Sequence, residues 1–425
     1  MINNLDDFTI LRFAKIFQSG GGIETHLDDL DSILLRRNKV RIIRTYLETG
    51  SKDLISTKRK VGQGNLIEIP LHVTKRAIQP KSDNHKNKQS SILFLKELFR
   101  DLIFYNPFLY RAFFRDFLKR YYSRPGDLPI KNAGEKVRRI LEEYNVDLLV
   151  MHHVGTVDSA EIMAEAKKLG IPYLFINHFS NDCFKNVSIR EQLGDAAGIA
   201  GVTGVGIPKR IKNHFRNVSS GIDTEVFNPD LVQSIRSKIN IPTIIYPARI
   251  IRNKGQIDLI DAYVRLRDEG LRVRIVFAGR IDSAEYEEEL NGLVNKNGLT
   301  DDVHFLGELN REELRDWYGV SSVMAFPTYH QEGLPRILME AQAMKVPPVA
   351  YIIGGTPEAL QDGKTGFLVR KGDIKTFTRR LRELITNEER RRKMGEEGRE
   401  FVKKQFSLEA LAERHEQLYL SVLKR

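Results

Sequence analysis

Short apolar runs alternate with helix-period stretches along both halves of this 425-residue chain, and that alternation is what most restricts its fold. A brief apolar run reads as a strand buried on both faces. Strands separated by helices lie parallel, with the helices packed against the sheet. The runs fall at 11–17, 40–46, 65–73, 146–151 and 172–177, and again at 243–247, 273–278, 303–306, 323–327 and 346–352. A chain of this length exceeds what one core usually supports. The two sets of strands therefore predict an α/β protein of two doubly wound sheets. Gly221, Pro229 and Pro242 punctuate the join, which places the domains at 1–225 and 226–406. Ligands of such sheets bind beyond the carboxyl ends of the strands, so the expectation is a cleft between two facing domains.

Composition excludes more than it assigns. With 41% hydrophobic and 29% charged residues, the chain is a soluble globular mixture, and no run of ~18 apolar residues suits a bilayer. The start, MINNLDDFTILRFAKIF, is acidic where a secretory leader would be basic, so a cytoplasmic protein is expected. Cys183 is the only cysteine, which removes an intrachain disulfide and a cysteine-rich metal centre. The net charge of +11 suits nucleic acid, anionic lipid or anionic substrates alike. No nucleic-acid module accompanies it, so nucleic acid is not an expected partner. Residues 74–91 are polar and lysine-rich and read as a loop.

The chemistry concentrates at strand ends. In HQEGLPRILMEAQAM, Glu332 and Glu340 are separated by seven residues with Pro335 between them. Proline suits a first helical position, which puts Glu332 in the loop and Glu340 inside the helix. Free N–H groups at that helix start favour an anionic diphosphate, and a carboxylate one and a half turns in can accept from ribose hydroxyls, leaving Glu332 to face a sugar. Taken alone, the pair fits an ordinary capped amphipathic helix better than a ligand site, so the other clusters have to decide. PARIIRNKG places Arg249 and Lys254 after the first strand of the second half, where a guanidinium fork and an ammonium match a diphosphate. QSGGGIETHL sets Gly21 and Gly22 in a strand-to-helix turn that lets backbone approach a ligand. It is not the GxGxxG fingerprint, so no nicotinamide cofactor is expected. FAGR puts Gly279 in a further turn, and FINHFSND puts His178 at the end of an apolar strand, where a packed structural histidine is the alternative.

In this order along nearly the whole chain, these residues resemble the retaining GT-B glycosyltransferases of glycosyltransferase family 4, whose fold pairs two Rossmann-like domains. The resemblance implies an E-x7-E donor motif read from Glu332 to Glu340. Glu332 would contact the donor sugar, Gly333 and Leu334 would offer backbone N–H groups ahead of Pro335, and Glu340 would bind ribose. It likewise implies Arg249 and Lys254 on the diphosphate, Gly21 and Gly22 in the glycine loop, and His178 as the active-site histidine of an acceptor-binding N-terminal domain. The donor-binding domain would be 226–406, and 407–425 is similar to the helix that crosses back onto the first domain. GIDTEVF, GGTPEAL and DGKTGFLV are further family-like landmarks. Leu334-Pro335 and Ser220-Gly221 depart from the commonest family pattern without removing a charged donor contact.

The activity implied is transfer of a sugar from a UDP- or GDP-sugar to a glycan acceptor, with retention at the anomeric carbon. Arg249, Lys254 and the helix start would stabilise the departing diphosphate. No Asp-x-Asp motif stands at a donor position, since DDLD at 28–31 falls on a helix and Asp301-Asp302 precedes a strand. No metal and no cofactor are expected. Residues 92–124 interleave phenylalanines with Lys96, Arg100, Arg111, Arg115, Lys119, Arg120 and Arg124. That composition fits either a helix lying on an anionic leaflet or core helices with solvated basic faces. The first reading would make the protein peripheral on the cytoplasmic membrane face, with a lipid-linked glycan acceptor in bacterial surface polysaccharide assembly. A soluble acceptor, a sugar-nucleotide epimerase and a non-catalytic scaffold are the alternatives.

Overall fold

The computed structural model describes residues 4–13, 22–49, 57–73, 130, 132–152, 154–179, 181–185, 187–232 and 241–423. Gly21 and the basic segment 92–124 lie outside them. Two compact units emerge: Met1–Val218 with Ala412–Arg425, and Ser219–Leu411. The division lies upstream of the 225/226 boundary expected from the sequence.

The first unit holds strands β1 (Thr9–Phe13), β2 (Arg41–Thr49), β3 (Thr57–Val61), β4 (Gly64–Val73), β5 (Leu148–Met151), β6 (Tyr173–Asn177), β7 (Gly198–Gly201) and β8 (Phe215–Asn217). They line up as β3-β4-β2-β1-β5-β6-β7-β8. Among the described residues, only the β3–β4 pair is antiparallel. The central register sets Ile10 beside Ile42 on one side and Leu148 on the other. Helices α1 (Gly22–Arg37), α2 (Ala133–Glu143), α3 (Val157–Lys168), α4 (Val187–Gln192) and α5 (Lys209–Lys212) connect these strands. The α3 start is closed by a capping box between Thr156 and Ser159, which satisfies helix N–H groups that have no partner in the helix itself.

The second unit holds β9 (Thr243–Pro247), α6 (Gln256–Asp268), β10 (Arg274–Ala278), α7 (Ala284–Lys296), β11 (Val303–Phe305), α8 (Arg311–Val320), β12 (Val323–Phe326), α9 (Arg336–Ala343), β13 (Pro348–Tyr351), α10 (Thr356–Ala359), β14 (Phe367–Val369), α11 (Ile374–Thr386) and α12 (Glu388–Phe406). Its sheet runs β11-β10-β9-β12-β13-β14, every pair parallel. Every residue of β9, β12 and β13 is buried. Helices cover both faces, which is why these strands read as continuous apolar runs rather than alternating ones. Arg399 of α12 reaches back to donate to Phe227 O (3.0 Å), Ala343 O (2.6 Å) and Asn228 Oδ1 (3.2 Å). It thereby ties the entry segment of the unit to the end of α9. Helix α13 (Leu408–Leu423) begins in the second unit, and from Ala412 onward it belongs to the first.

Strands β3, β7, β8 and β14 escape the sequence pattern for physical reasons. TKRKV is a basic edge strand, GIAG has too few side chains to show a period, and FRN and FLV are three residues each. Pro335 is also one step off expectation: it is the residue before α9, with φ −70° and ψ 108°, and the helix begins at Arg336. Among the described residues no helix is long and apolar enough to cross a membrane.

Candidate active site

The strand order reverses between β9 and β12 in the second unit and between the parallel neighbours β1 and β5 in the first. At such a point the loops leaving two adjacent strands diverge and open a crevice at their carboxyl ends. The sequence-assigned polar residues gather at these two places.

In the second unit the β9 loop carries Arg249 and Lys254, and the β12 loop carries His330 and Glu332. Lys254 Nζ forms an ion pair with Glu332 Oε1, two residues 78 positions apart that the switch point brings together. Lys254 is only 11% exposed and Glu332 22%, so the pair is shielded from most solvent screening. One backbone contact sets the loops against each other, Tyr329 N donating to Asn253 O (2.9 Å), and Gln256 Nε2 braces the β9 loop by donating to Arg249 O (2.9 Å). Gly255 adopts φ +72°, and a Cβ there would collide with the Pro327 carbonyl oxygen. Gly354, at φ +50°, packs equally closely on the Glu332 carbonyl. Both positions exclude a side chain because two strand-end loops touch through backbone.

Arg249 is half exposed and pairs with Asp282 (2.6 Å), which also takes Arg280 Nε at 2.7 Å. Gly279 lets the β10 turn lie against the Ala248 carbonyl beside Arg249. Gly333, Leu334 and Pro335 are buried in the approach to α9. Glu340 is buried inside α9 at 8% exposure. It sits near Tyr318, whose ionisation is pushed well up by burial and then by the Glu340 charge. The His330 imidazole is held below its ordinary value by burial, with Glu332 opposing and Lys254 reinforcing that shift. Beneath the loop, Tyr329 and Tyr351 both donate to Asp258 Oδ2, at 2.8 and 2.6 Å. No spacing rule points to that triad, because its three members come from three separate elements. Asp282 was legible only as a carboxylate two residues after FAGR.

In the first unit His178 follows β6, and His152 follows β5. His152 Nδ1 lies 2.8 Å from His178 Nε2, and Arg12 of β1 places Nη1 3.4 Å from His152 Nε2. Arg12 is fully buried, paired with Asp31 of α1 at 2.6 Å, and donates to Tyr419 Oη at 2.8 Å. Arg44 joins the same Asp31 (2.7 Å) and Asp28 (2.5 Å). His26 packs edge-on to His178 with ring centroids 5.0 Å apart. Burial, followed by the Arg12 charge, pushes the His178 pKa down to about 4. His152 is held well below its usual range by burial, then by His178 and Arg12. The sequence reading singled out only His178 here; Arg12 and Arg44 look like ordinary strand residues until the fold buries them. Gly22 opens α1. A cavity of about 760 Å³ elsewhere in this unit is lined by Phe184, Arg190, Arg210, Ile211 and Leu418 among others, and none of the sequence-assigned residues borders it.

Comparison with known proteins bears on both units. Residues 229–401 match the family described as glycosyl transferases group 1. The capsular polysaccharide biosynthesis glycosyltransferase CapM of Staphylococcus aureus is 30% identical over 48% of this chain and 54% of its own length, so the chain spans about half of that relative. The GDP-mannose-dependent alpha-(1-6)-phosphatidylinositol monomannoside mannosyltransferase of Mycobacterium tuberculosis is 29% identical over 67% of this chain and 78% of its own. The crystal structure of Anabaena HepE in complex with UDP superposes with a TM-score of 0.69 at 14% identity, covering 97% of this chain and all of that one. Residues 229–401 are thus similar to the glycosyl transferases group 1 family, and the two doubly wound units have the GT-B fold.

Proposed function

We propose that the protein is a retaining glycosyltransferase that moves a sugar from a UDP- or GDP-sugar to a glycan acceptor, the acceptor being lipid-linked. The observation that carries this reading is the Lys254–Glu332 pair at the β9/β12 switch point, inside the segment that matches the family. A cation and a carboxylate held side by side can divide a nucleotide sugar between them, the ammonium on diphosphate and the carboxylate on sugar hydroxyls. Arg249 adds a guanidinium fork. When it turns to a phosphate, Asp282 keeps its second partner, Arg280, so no carboxylate is stranded. Glu340 takes the ribose. The α9 start and these cations act on the charge that grows on the leaving diphosphate, and a leaving phosphate oxygen takes the acceptor proton on the same face. No metal enters this scheme.

HepE was solved in complex with UDP, and the mycobacterial relative is a GDP-mannose-dependent phosphatidylinositol monomannoside mannosyltransferase. The first supports a nucleoside diphosphate donor, and the second a lipid-borne acceptor. Thermal-shift titration with UDP, GDP and ADP on the wild type and Glu340→Ala tests the donor site. One nucleotide should raise the melting temperature selectively and do so less in the variant. Stabilisation by none of them would reduce the proposal to a fold. NMR of the anomeric proton of the product tests retention, and inversion would reject the same-face route. Flotation with anionic liposomes tests membrane association, which no binding at low salt would remove.

A further inference from the structure

The buried polar layer of the first unit contains a chain of donors and acceptors whose direction is set at one end. A guanidinium has donors only and stays protonated in a protein. Because Arg12 Nη1 faces His152 Nε2 at 3.4 Å, that nitrogen accepts, and the single proton of a neutral His152 is on Nδ1. His152 Nδ1 in turn lies 2.8 Å from His178 Nε2. With Nδ1–H donating, His178 Nε2 accepts, and the His178 proton is left on its own Nδ1. We propose that Arg12 and His152 are positioning residues that present His178 in the Nδ1–H tautomer, with that N–H as the only ring group left for a ligand. This rests on the reading of His178 as the active-site histidine of the first unit.

Three further observations hold the chain in this direction. Arg12 cannot swing away, since Asp31 grips its Nε at 2.6 Å and Tyr419 of α13 accepts from Nη1 at 2.8 Å. The layer also needs no extra proton: Arg12 and Arg44 are matched by Asp31 and Asp28, so a charged imidazole would be an unbalanced buried cation. Burial and the Arg12 charge accordingly keep both histidines neutral at pH 7. Finally, His26 stands edge-on to the His178 ring, which leaves little freedom for a flip. Hydrogen-bonded second partners that fix a histidine tautomer are a general device for orienting its working nitrogen. The chemical consequence is specific. His178 is a hydrogen-bond donor to a ligand oxygen and is not a proton acceptor, because its one basic nitrogen is already occupied by His152.

The test is a long-range proton–nitrogen NMR spectrum of the full chain labelled with 15N histidine, with His152→Gln and His178→Gln used for assignment. Both rings should show a protonated Nδ1 and a bare, downfield Nε2. A proton on Nε2 of His178, or on both of its nitrogens at pH 7, would overturn the proposal. His152→Ala removes the donor and should redistribute the His178 proton, while lowering kcat about 10- to 100-fold with little change in the donor KM. His152→Gln still offers an N–H and should restore both tautomer and much of the rate, and it serves alone if the alanine variant fails to fold. A His178 tautomer indifferent to both substitutions would also overturn it. If the tautomers are as stated and no nucleotide binds, the relay stands and the donor-site reading falls. If transfer proceeds with the opposite tautomer, the relay falls alone.

Discussion

Replacing Gly255 by alanine isolates the contact that brings the two loops of the second unit together. The residue sits at φ +72°, where a Cβ costs about 1–2 kcal/mol through its clash with the local backbone. The same Cβ would also be driven into the Pro327 carbonyl oxygen, inside the 3.0 Å that real Cβ atoms keep. No rotamer relieves this, since Cβ has no torsion of its own. The loop has to withdraw, and the Tyr329 N to Asn253 O bond of 2.9 Å is the first casualty, worth about 1 kcal/mol. The sum is about 2–3 kcal/mol, or roughly 4–12 °C in melting temperature for a unit of this size. The assay is direct because Trp317 is the only tryptophan in the chain and lies on α8, so its fluorescence reports the second unit selectively. Gly292→Ala is the control: this glycine is on α7, where an added methyl would meet nothing within 4 Å, and alanine there should stabilise by about 0.5–1 kcal/mol. If Gly255→Ala melts with the wild type, the close approach of these loops is not what holds Lys254 at the β12 end.

Lys254→Ala and Arg249→Ala should each lower the transfer rate roughly a hundredfold, the loss of ~3 kcal/mol expected when one charge-stabilising donor is removed; rates within a fewfold of wild type would exclude them from the site. Glu332→Gln keeps the shape and should still leave Lys254 without its counter-charge, so a rate unchanged across a salt series would argue against a working pair. Chelation with EDTA should leave initial rates unaltered, and activity restored only by a divalent cation would refute the metal-free scheme. Stability should depend on pH through the histidine layer. His178 has a folded pKa of about 4 against an unfolded value of 6.5, so the unfolded chain binds more protons between these limits. Stability is therefore complete above about pH 6.5 and declines as pH falls toward 4, by roughly 2–3 kcal/mol for this group. Amide exchange in β5 and β6 should quicken over that window, and protection that is flat between pH 7 and 5 would mean the imidazoles are not held neutral.

Much of the molecule was readable before folding was considered, and the parts that were not share a cause. The apolar runs of β9, β10, β12 and β13 announce a parallel sheet because strands covered on both faces need side chains of one kind throughout. The same runs locate the strand ends, and therefore Arg249, Lys254, His178 and Glu332, since polar residues directly after a buried strand have nowhere to be except its carboxyl edge. Segments as short or as poor in side chains as FLV and GIAG stayed invisible, because a pattern of burial needs enough side chains to show a period.

By itself the sequence determined the fold class, the positions of the loops that carry charge, and the order of motifs that marks the family. Tertiary structure alone decided which charges meet. Lys254 and Glu332 are 78 positions apart and pair only because β9 and β12 are neighbours in the sheet. Arg12 and Tyr419 are separated by 407 positions and meet only because the end of α13 belongs to the first unit. Strand order and helix docking are fixed by the summed burial of whole surfaces, which no local window contains. The direction of a hydrogen-bond chain such as Arg12 to His152 to His178 exists only once those surfaces have closed around it.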